Sequence, residues 1–262
     1  MKIVVCIKQV PAANDAKIDP ETKRIIREGQ KAIMNPFDTY ALEEGVRLKN
    51  QFGGEVIALS MGPPKAEAVL REAISVGADR AILLSDRGFG GSDTWATSYA
   101  LSKAIEKIGD VNLVICGKQA VDGDTAQVGP GIAAHLGLQQ ATYVMAIQDV
   151  TAESITVQRM HEEGYDICEL HLPAVITVLK DINVPRVPTL KGRLASQKCD
   201  IPVWKPADIG AEPDKIGLDG SPTRVVRTQP PPARNTKSIR IEGTPQECAQ
   251  ALVKDLRLRS IL

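Results

Sequence analysis

Short unbroken apolar runs alternate with amphipathic stretches through the first half of the chain. KIVVCI (2–7) has no polar position after its lysine, the pattern of a strand covered on both faces. DPETKRIIREG (19–29) reads as a turn and a short ribbon. Asn35-Pro36 opens a helix, because Asn35 suits the cap and Pro36 the first helical position. That helix runs to about residue 50 and stops before Gly53 and Gly54. EVIALSM (55–61) is the second strand. After Gly62-Pro63-Pro64, the residues Ala66, Val69, Leu70, Ala73 and Ile74 line one face of a helix that Gly77 closes. RAILLSD (80–86) is the third strand, followed by a glycine-rich loop and a helix capped by Ser92 or Asp93 that reaches about residue 108. NLVICGK (112–118) is the fourth strand. This alternation predicts an α/β fold, a doubly wound and mainly parallel sheet with right-handed crossovers.

After Gly137 the rhythm changes. ATYVMAIQDV (141–150), SITVQRM (154–160), YDICELHL (165–172) and AVITVL (174–179) are strands without intervening helices, which predicts an antiparallel extension. From residue 181 the pattern turns irregular, and prolines are frequent over 202–236. That stretch is expected to be extended, with little core of its own. A last helix is expected at about 245–258. The division implied is an α/β domain over 1–200 and an extended C-terminal arm over 201–262. The arm lies either on another surface or on its own domain.

Composition narrows the function. Lys and Arg number 32, as do Asp and Glu, over 262 residues, and aromatic residues make up 3%. A neutral chain with few stacking side chains is not built for nonspecific nucleic-acid binding. No apolar stretch has the length of a membrane span. Five scattered cysteines, odd in number and without a C-x-x-C pair, fit a reduced, cytoplasmic protein. The three histidines, His135, His161 and His171, are far apart, so no metal site is expected.

Familiar catalytic signatures fail. A phosphate loop ending at Gly117-Lys118 needs glycine at Asn112 and a hydroxyl at Gln119. ALSMG has Ala58 where a nucleophile elbow has glycine, and HEEGY has Tyr165 in place of a second histidine. What remains is position. Open parallel sheets bind ligands beyond the carboxyl ends of their strands. There the chain carries GKQAVDGDTAQVGPGIAAHLG (117–137), with glycines for close backbone approach and a helix expected to begin near Thr125. Backbone N–H groups and the helix end can hold a diphosphate without a lysine, and Asp122 or Asp124 can accept hydrogen bonds from ribose hydroxyls. A plain glycine-rich connection with capping aspartates explains the same residues.

Three long motifs carry a resemblance. MNPFDTYALEEGVRLK (34–49), GKQAVDGDTAQVGP (117–130) and INVPRVPTLKGRLAS (182–196), in this order, resemble the β (small) subunit of electron-transfer flavoprotein. DGDTAQVG (122–129) and GGSDTWATS (90–98) are similar to the bifurcating type of that family. The resemblance implies an adenine-nucleotide-binding α/β fold in a heterodimer with a larger α subunit. It implies a bound FAD that takes hydride from NADH. One electron then goes to ferredoxin or flavodoxin, the other through the α-subunit FAD to an acyl-CoA dehydrogenase or related flavin dehydrogenase. The ordinary type holds AMP structurally instead, and a stand-alone adenine-nucleotide sensor is the rival from another class.

Carried over by motif, Cys6, Asn35, Phe37, Asp38 and Met61 match positions lining the adenosine end. The phosphate and ribose loop matches Asp122, Gly123, Asp124, Thr125, Ala126, Gln127, Val128, Gly129, Pro130, Gly131 and Ile132, following Gly117. Ser92, Thr94 and Thr97 form a second polar rim, or simply the first turn of a capped helix. Leu190 matches the apolar tip of a partner-recognition loop over 182–197, with Val184, Pro185, Arg186, Thr189 and Lys191 around it. Leu190 either docks into a dehydrogenase pocket or folds back on its own domain. No side chain is expected to act as a catalytic acid, base or nucleophile, because the flavin carries the redox chemistry.

Overall fold

The computed structural model describes residues 1–12, 32–226 and 239–262. The ribbon expected over 19–29 lies outside the described residues. The chain divides into two units, Met1–Val226 and Arg227–Leu262.

In the first unit, β1 (Lys2–Cys6) leads to a small antiparallel pair, β2 (Gln9–Pro11) with β3 (Ala32–Met34). Then follow α1 (Pro36–Phe52), β4 (Glu55–Met61), α2 (Glu67–Val76), β5 (Arg80–Leu84), α3 (Thr94–Ile108) and β6 (Leu113–Gly117). α4 (Val128–Leu136) precedes three long strands, β7 (Gln139–Val150), β8 (Ser154–His161) and β9 (Gly164–His171). The unit ends with β10 (Ala174–Val178), α5 (Leu190–Lys198) and β11 (Val203–Trp204). The sheet order is β11-β5-β4-β1-β6-β10-β7-β8-β9. All pairs from β11 to β7 are parallel, and β7-β8-β9 is an antiparallel meander.

The apolar runs are buried on both faces, as their sequence requires. Ile3 and Val5 of β1, Val56 and Ala58 of β4, and Leu113 and Ile115 of β6 pack in one layer with α1 and α2. Val4 and Cys6, Ile57 and Leu59, and Val114 and Cys116 point the other way, toward α3 and α4. The period of two sorts each strand between the two cores.

Three expectations need correction. β10 does not belong to the antiparallel extension; it returns between β6 and β7, parallel to both. All five of its residues are buried, so it needs neighbours on both edges and cover on both faces. β9 is largely exposed and stays at the edge. Residues 190–198 are not irregular but form α5, capped by the Thr189 hydroxyl accepting from the Gly192 N–H at 3.0 Å. Its stability comes from docking rather than from an apolar face. A Cβ on Gly192 would stand 2.2 Å from the Ser75 carbonyl oxygen, and the Arg71 guanidinium donates to the carbonyl of Cys199 at 3.3 Å. Finally, the proline-rich stretch does carry core: Ile209, Ala211 and Ile216 are buried among the α3 and β5 side chains. Single apolar residues among polar ones give no periodic signal.

In the second unit, α6 (Pro245–Leu258) opens with a capping box in which the Thr244 hydroxyl and the Glu247 carboxylate each bond the other residue's backbone N–H.

Candidate functional site

β1 has β4 on one side and β6 on the other, and the chain winds outward from it in both directions. The crevice beyond the carboxyl ends of β1 and β6 is therefore the topological switch point. Three segments meet there: residues 6–8 after β1, residues 34–38 at the start of α1, and residues 117–131 between β6 and α4.

Asn35 joins them. Its side chain does not cap α1. Instead its Nδ2 donates to Asp38 Oδ1 and to the Gln119 carbonyl, each at 2.9 Å, and its Oδ1 accepts from the Val121 N–H at 3.1 Å. Asp38 Oδ2 accepts from the Lys8 N–H at 2.8 Å. Both residues are buried, so these bonds are made where water does not compete. Burial pushes the Asp38 carboxyl up to about 7, against the opposite pull of Asn35, of the Lys8 N–H and ammonium, and of the Gly117 N–H. Asn35 and Asp38 thus act as the tie between the crevice walls. Phe37, next to them, lies 5.9 Å from the Lys118 ammonium, which also stands 5.0 Å from the Tyr143 ring.

The loop from β6 runs further than expected, and α4 begins at Val128 rather than near Thr125. Asp124 and Ala126 have positive φ, 56° and 54°, while Gln127 has φ −105° and ψ −21°. Such alternation turns successive N–H groups toward one side and makes an anion-binding concavity. Among the described residues, no acceptor meets the N–H groups of Thr125, Ala126, Gln127, Val128 or Gly129. They are the open donors at the positive end of α4. Asp122 is paired with Lys8, its Oδ1 2.6 Å from Nζ, and Asp124 accepts from the Gln119 side chain.

The glycines divide by what surrounds them. A Cβ on Gly117 would meet Asp38 Oδ1 at 2.4 Å, one on Gly129 would meet Thr177 Cγ2 at 2.4 Å, and one on Gly131 would meet Ser98 Oγ at 2.5 Å. These three let protein approach protein. Gly123 has open space around it. Pro130 follows at the third helical position, and Ile132 is fully buried beneath. Cys6 lies beside Cys116 in the register of β1 and β6, on the crevice floor. Met61 ends β4, one strand away.

The second rim is partly committed elsewhere. The Ser92 hydroxyl donates to the Phe89 carbonyl at 2.9 Å and accepts from the Gly217 N–H at 3.0 Å. The helix cap is Asp93, which accepts from the Ala96 N–H at 3.1 Å and from Thr223. Thr94 does face the loop, donating from Oγ1 to Gln127 Oε1 at 2.8 Å. Thr97 sits half-buried one turn further.

On the α1 side, Arg186 makes a two-pronged pair with Glu43, Nε to Oε2 at 2.7 Å and Nη2 to Oε1 at 2.9 Å. Asn183 Nδ2 donates to Glu44 Oε2 at 2.9 Å. The loop is thus bolted at its base, with Pro185 between the two anchors. Val184 beside that proline, and Val187, Leu190 and Leu194 beyond Arg186, are exposed, Leu190 at 76%. Leu190 does not fold back on its own domain, and Lys191 beside it is exposed too.

Lys8, Gln119 and Thr177 also belong to this crevice, and the sequence reading gave none of them a ligand contact. Gln119 lies within the loop motif, and Lys8 at the carboxyl end of the first strand, where an open parallel sheet binds its ligand.

A family model described as the electron transfer flavoprotein domain matches residues 22–209. The chain is 46% identical over 263 residues to the electron transfer flavoprotein subunit beta of Thermoanaerobacterium thermosaccharolyticum, covering 100% of both chains. It is 45% identical to the caffeyl-CoA reductase-Etf complex subunit CarD of Acetobacterium woodii, again over 100% of both. It is 46% identical to the protein FixA of Azorhizobium caulinodans, over 98% of this chain and 94% of that one.

Proposed function

Since the chain belongs to the electron transfer flavoprotein family as its β subunit, the smaller partner of a heterodimer, we propose that the switch-point crevice binds FAD and that the subunit serves electron bifurcation. The observation that carries this reading is the run of open N–H donors from Thr125 to Gly129 at the start of α4. The donor set suits a diphosphate: neutral backbone dipoles plus a helix end, with no acidic side chain among the five. In this reading Asp122 and Asp124, in the same loop, accept from ribose hydroxyls. Cys6 and Met61 supply an apolar floor for the adenosine end, and Thr94 with Gln127 a polar rim.

A flavin bound there supplies acceptance of hydride from NADH and release of single electrons. The protein's part is to hold and orient. Asn35 and Asp38 fix the two walls, the residues from Thr125 to Gly129 hold phosphate, and no side chain need transfer a proton. The proposed electron acceptors are ferredoxin or flavodoxin and, by way of the α subunit, an acyl-CoA dehydrogenase-type partner, in the cytoplasm. Similarity to a subunit of a caffeyl-CoA reductase-Etf complex supports this assignment, together with DGDTAQVG at 122–129 and GGSDTWATS at 90–98. The exposed Leu190 on its clamped loop is the docking tip for the dehydrogenase, and α6 contacts the α subunit.

The test is the flavin count of the heterodimer purified after co-expression with its α subunit. Two FAD per heterodimer, reduced by NADH, is the expected result. One FAD with one AMP, and no reduction by NADH, assigns the crevice to AMP and removes bifurcation.

A further inference from the structure

Lys8 follows β1 at the switch point, and its backbone is fixed by the N–H bond to Asp38. Its side chain is half-exposed. It turns to the loop after β6, 114 residues away in sequence, and meets Asp122 Oδ1 at 2.6 Å. The two side chains keep 47% and 33% of their exposure. A pair so exposed adds little stability, no more than fixing the lysine side chain costs. Stability does not account for the arrangement. Its effect is positional: a cation is held against the same loop whose N–H groups, from Thr125 onward, stand open.

We propose that Lys8 is the phosphate-binding side chain of this crevice, and that nucleotide binding exchanges its ion pair with Asp122 for one with phosphate. The inference rests on the crevice being the nucleotide site. A phosphate offers more charge and more acceptor oxygens than one half-exposed carboxylate, so it competes well for the ammonium. Before binding, the pair neutralises Asp122, which otherwise repels an incoming anion. After the exchange, Asp122 is free to accept from a ribose hydroxyl. The loop's own lysine, Lys118, stands by the Phe37 and Tyr143 rings, and the cation beside Asp122 is delivered from the end of β1.

The experiment titrates AMP and adenosine into the nucleotide-depleted heterodimer, its α-subunit flavin in place, by calorimetry. Lys8→Gln should lower AMP affinity roughly ten- to hundredfold and leave adenosine affinity unchanged. Lys8→Arg should keep most of the preference for AMP over adenosine. Asp122→Asn should keep it too, because the ammonium still reaches phosphate. Equal losses toward both ligands in Lys8→Gln, or no loss toward AMP, overturn the proposal, with circular dichroism reporting that the variants are folded. If Lys8→Gln does not fold, the Lys8→Arg titration decides by the same preference. A parent heterodimer that binds neither AMP nor FAD overturns the nucleotide reading itself, and that result depends on no Lys8 variant.

Discussion

Arg186 and Glu43 meet through two hydrogen bonds between side chains and a third from the Arg186 N–H to Glu43 Oε2 at 3.1 Å, joining the exposed loop to the middle of α1. Glu43 is buried and Arg186 is partly exposed. Removing the arginine leaves a buried carboxylate with one donor. Arg186→Ala should therefore cost about 1–3 kcal/mol of stability, less than a fully buried pair because water reaches this side. Arg186→Lys should recover only part, since an ammonium cannot make the fork. Chemical denaturation of the heterodimer measures both. Equal stability of parent and Arg186→Ala would show that the clamp is ornamental.

Leu190 tests the docking assignment. At 76% exposure it has little to lose on its own domain, so Leu190→Ala should change stability by less than about 0.5 kcal/mol. Electron delivery to the dehydrogenase should fall by roughly tenfold or more, the value of one buried apolar anchor. Reduction by NADH should stay normal. The two rates are read by stopped-flow absorbance, and a common fall in both would remove Leu190 from docking.

Gly129 is held by packing. Because a Cβ would meet Thr177 Cγ2 at 2.4 Å, Gly129→Ala should destabilise the fold by about 1–3 kcal/mol. Thr177→Ser removes that methyl and keeps the hydroxyl that accepts from the Tyr143 N–H. The double variant should regain stability relative to Gly129→Ala alone, a coupling that thermal unfolding detects. Gly123→Ala, with open space around it, should be neutral in stability.

Asp38 gives the pH dependence. Its folded pKa of about 7 lies above its ordinary value of 3.8, so the folded state binds the proton more tightly. The stability this contributes is fully present below about pH 4 and is lost as pH rises through 7. Asp38→Asn should lower absolute stability, since an amide cannot accept from all the donors aimed at the carboxylate. It should also flatten the slope of stability against pH over that window. Urea midpoints at pH 5 and pH 8 decide it, and an unchanged slope would show that the proton resides elsewhere.

The strand–helix alternation was legible because each apolar run in the parallel sheet is sorted by burial alone: EVIALSM became β4 residue for residue. β10 was not legible as central, since AVITVL looks like any buried strand and its neighbours are chosen by the whole sheet. α5 was hidden because its contacts, Gly192 on Ser75 and Arg71 on the Cys199 carbonyl, are not periodic. In the crevice, motifs named the loop and put Asn35 at the adenosine end, while the helix-start pattern gave it a capping role. Only the fold shows its side chain spanning to Gln119 and Val121, and only the fold brings Lys8 to Asp122.

The sheet closes out of chain order. β10 is made after the β7–β9 meander yet lies between that meander and β6, so β6 lacks its second neighbour until Val178 has left the ribosome. The hairpins, whose partners are near in sequence, are ready sooner, and the parallel insertion waits on longer loop closure. Thr177 arrives in that late strand. The surface against which Gly129 seats is therefore completed near the end, and the start of α4 takes its final place only then. Pulse-labelled hydrogen exchange during refolding should protect β7 and β8 before β6. On the proposed assignment of the crevice, nucleotide capture seals a finished sheet rather than seeding it.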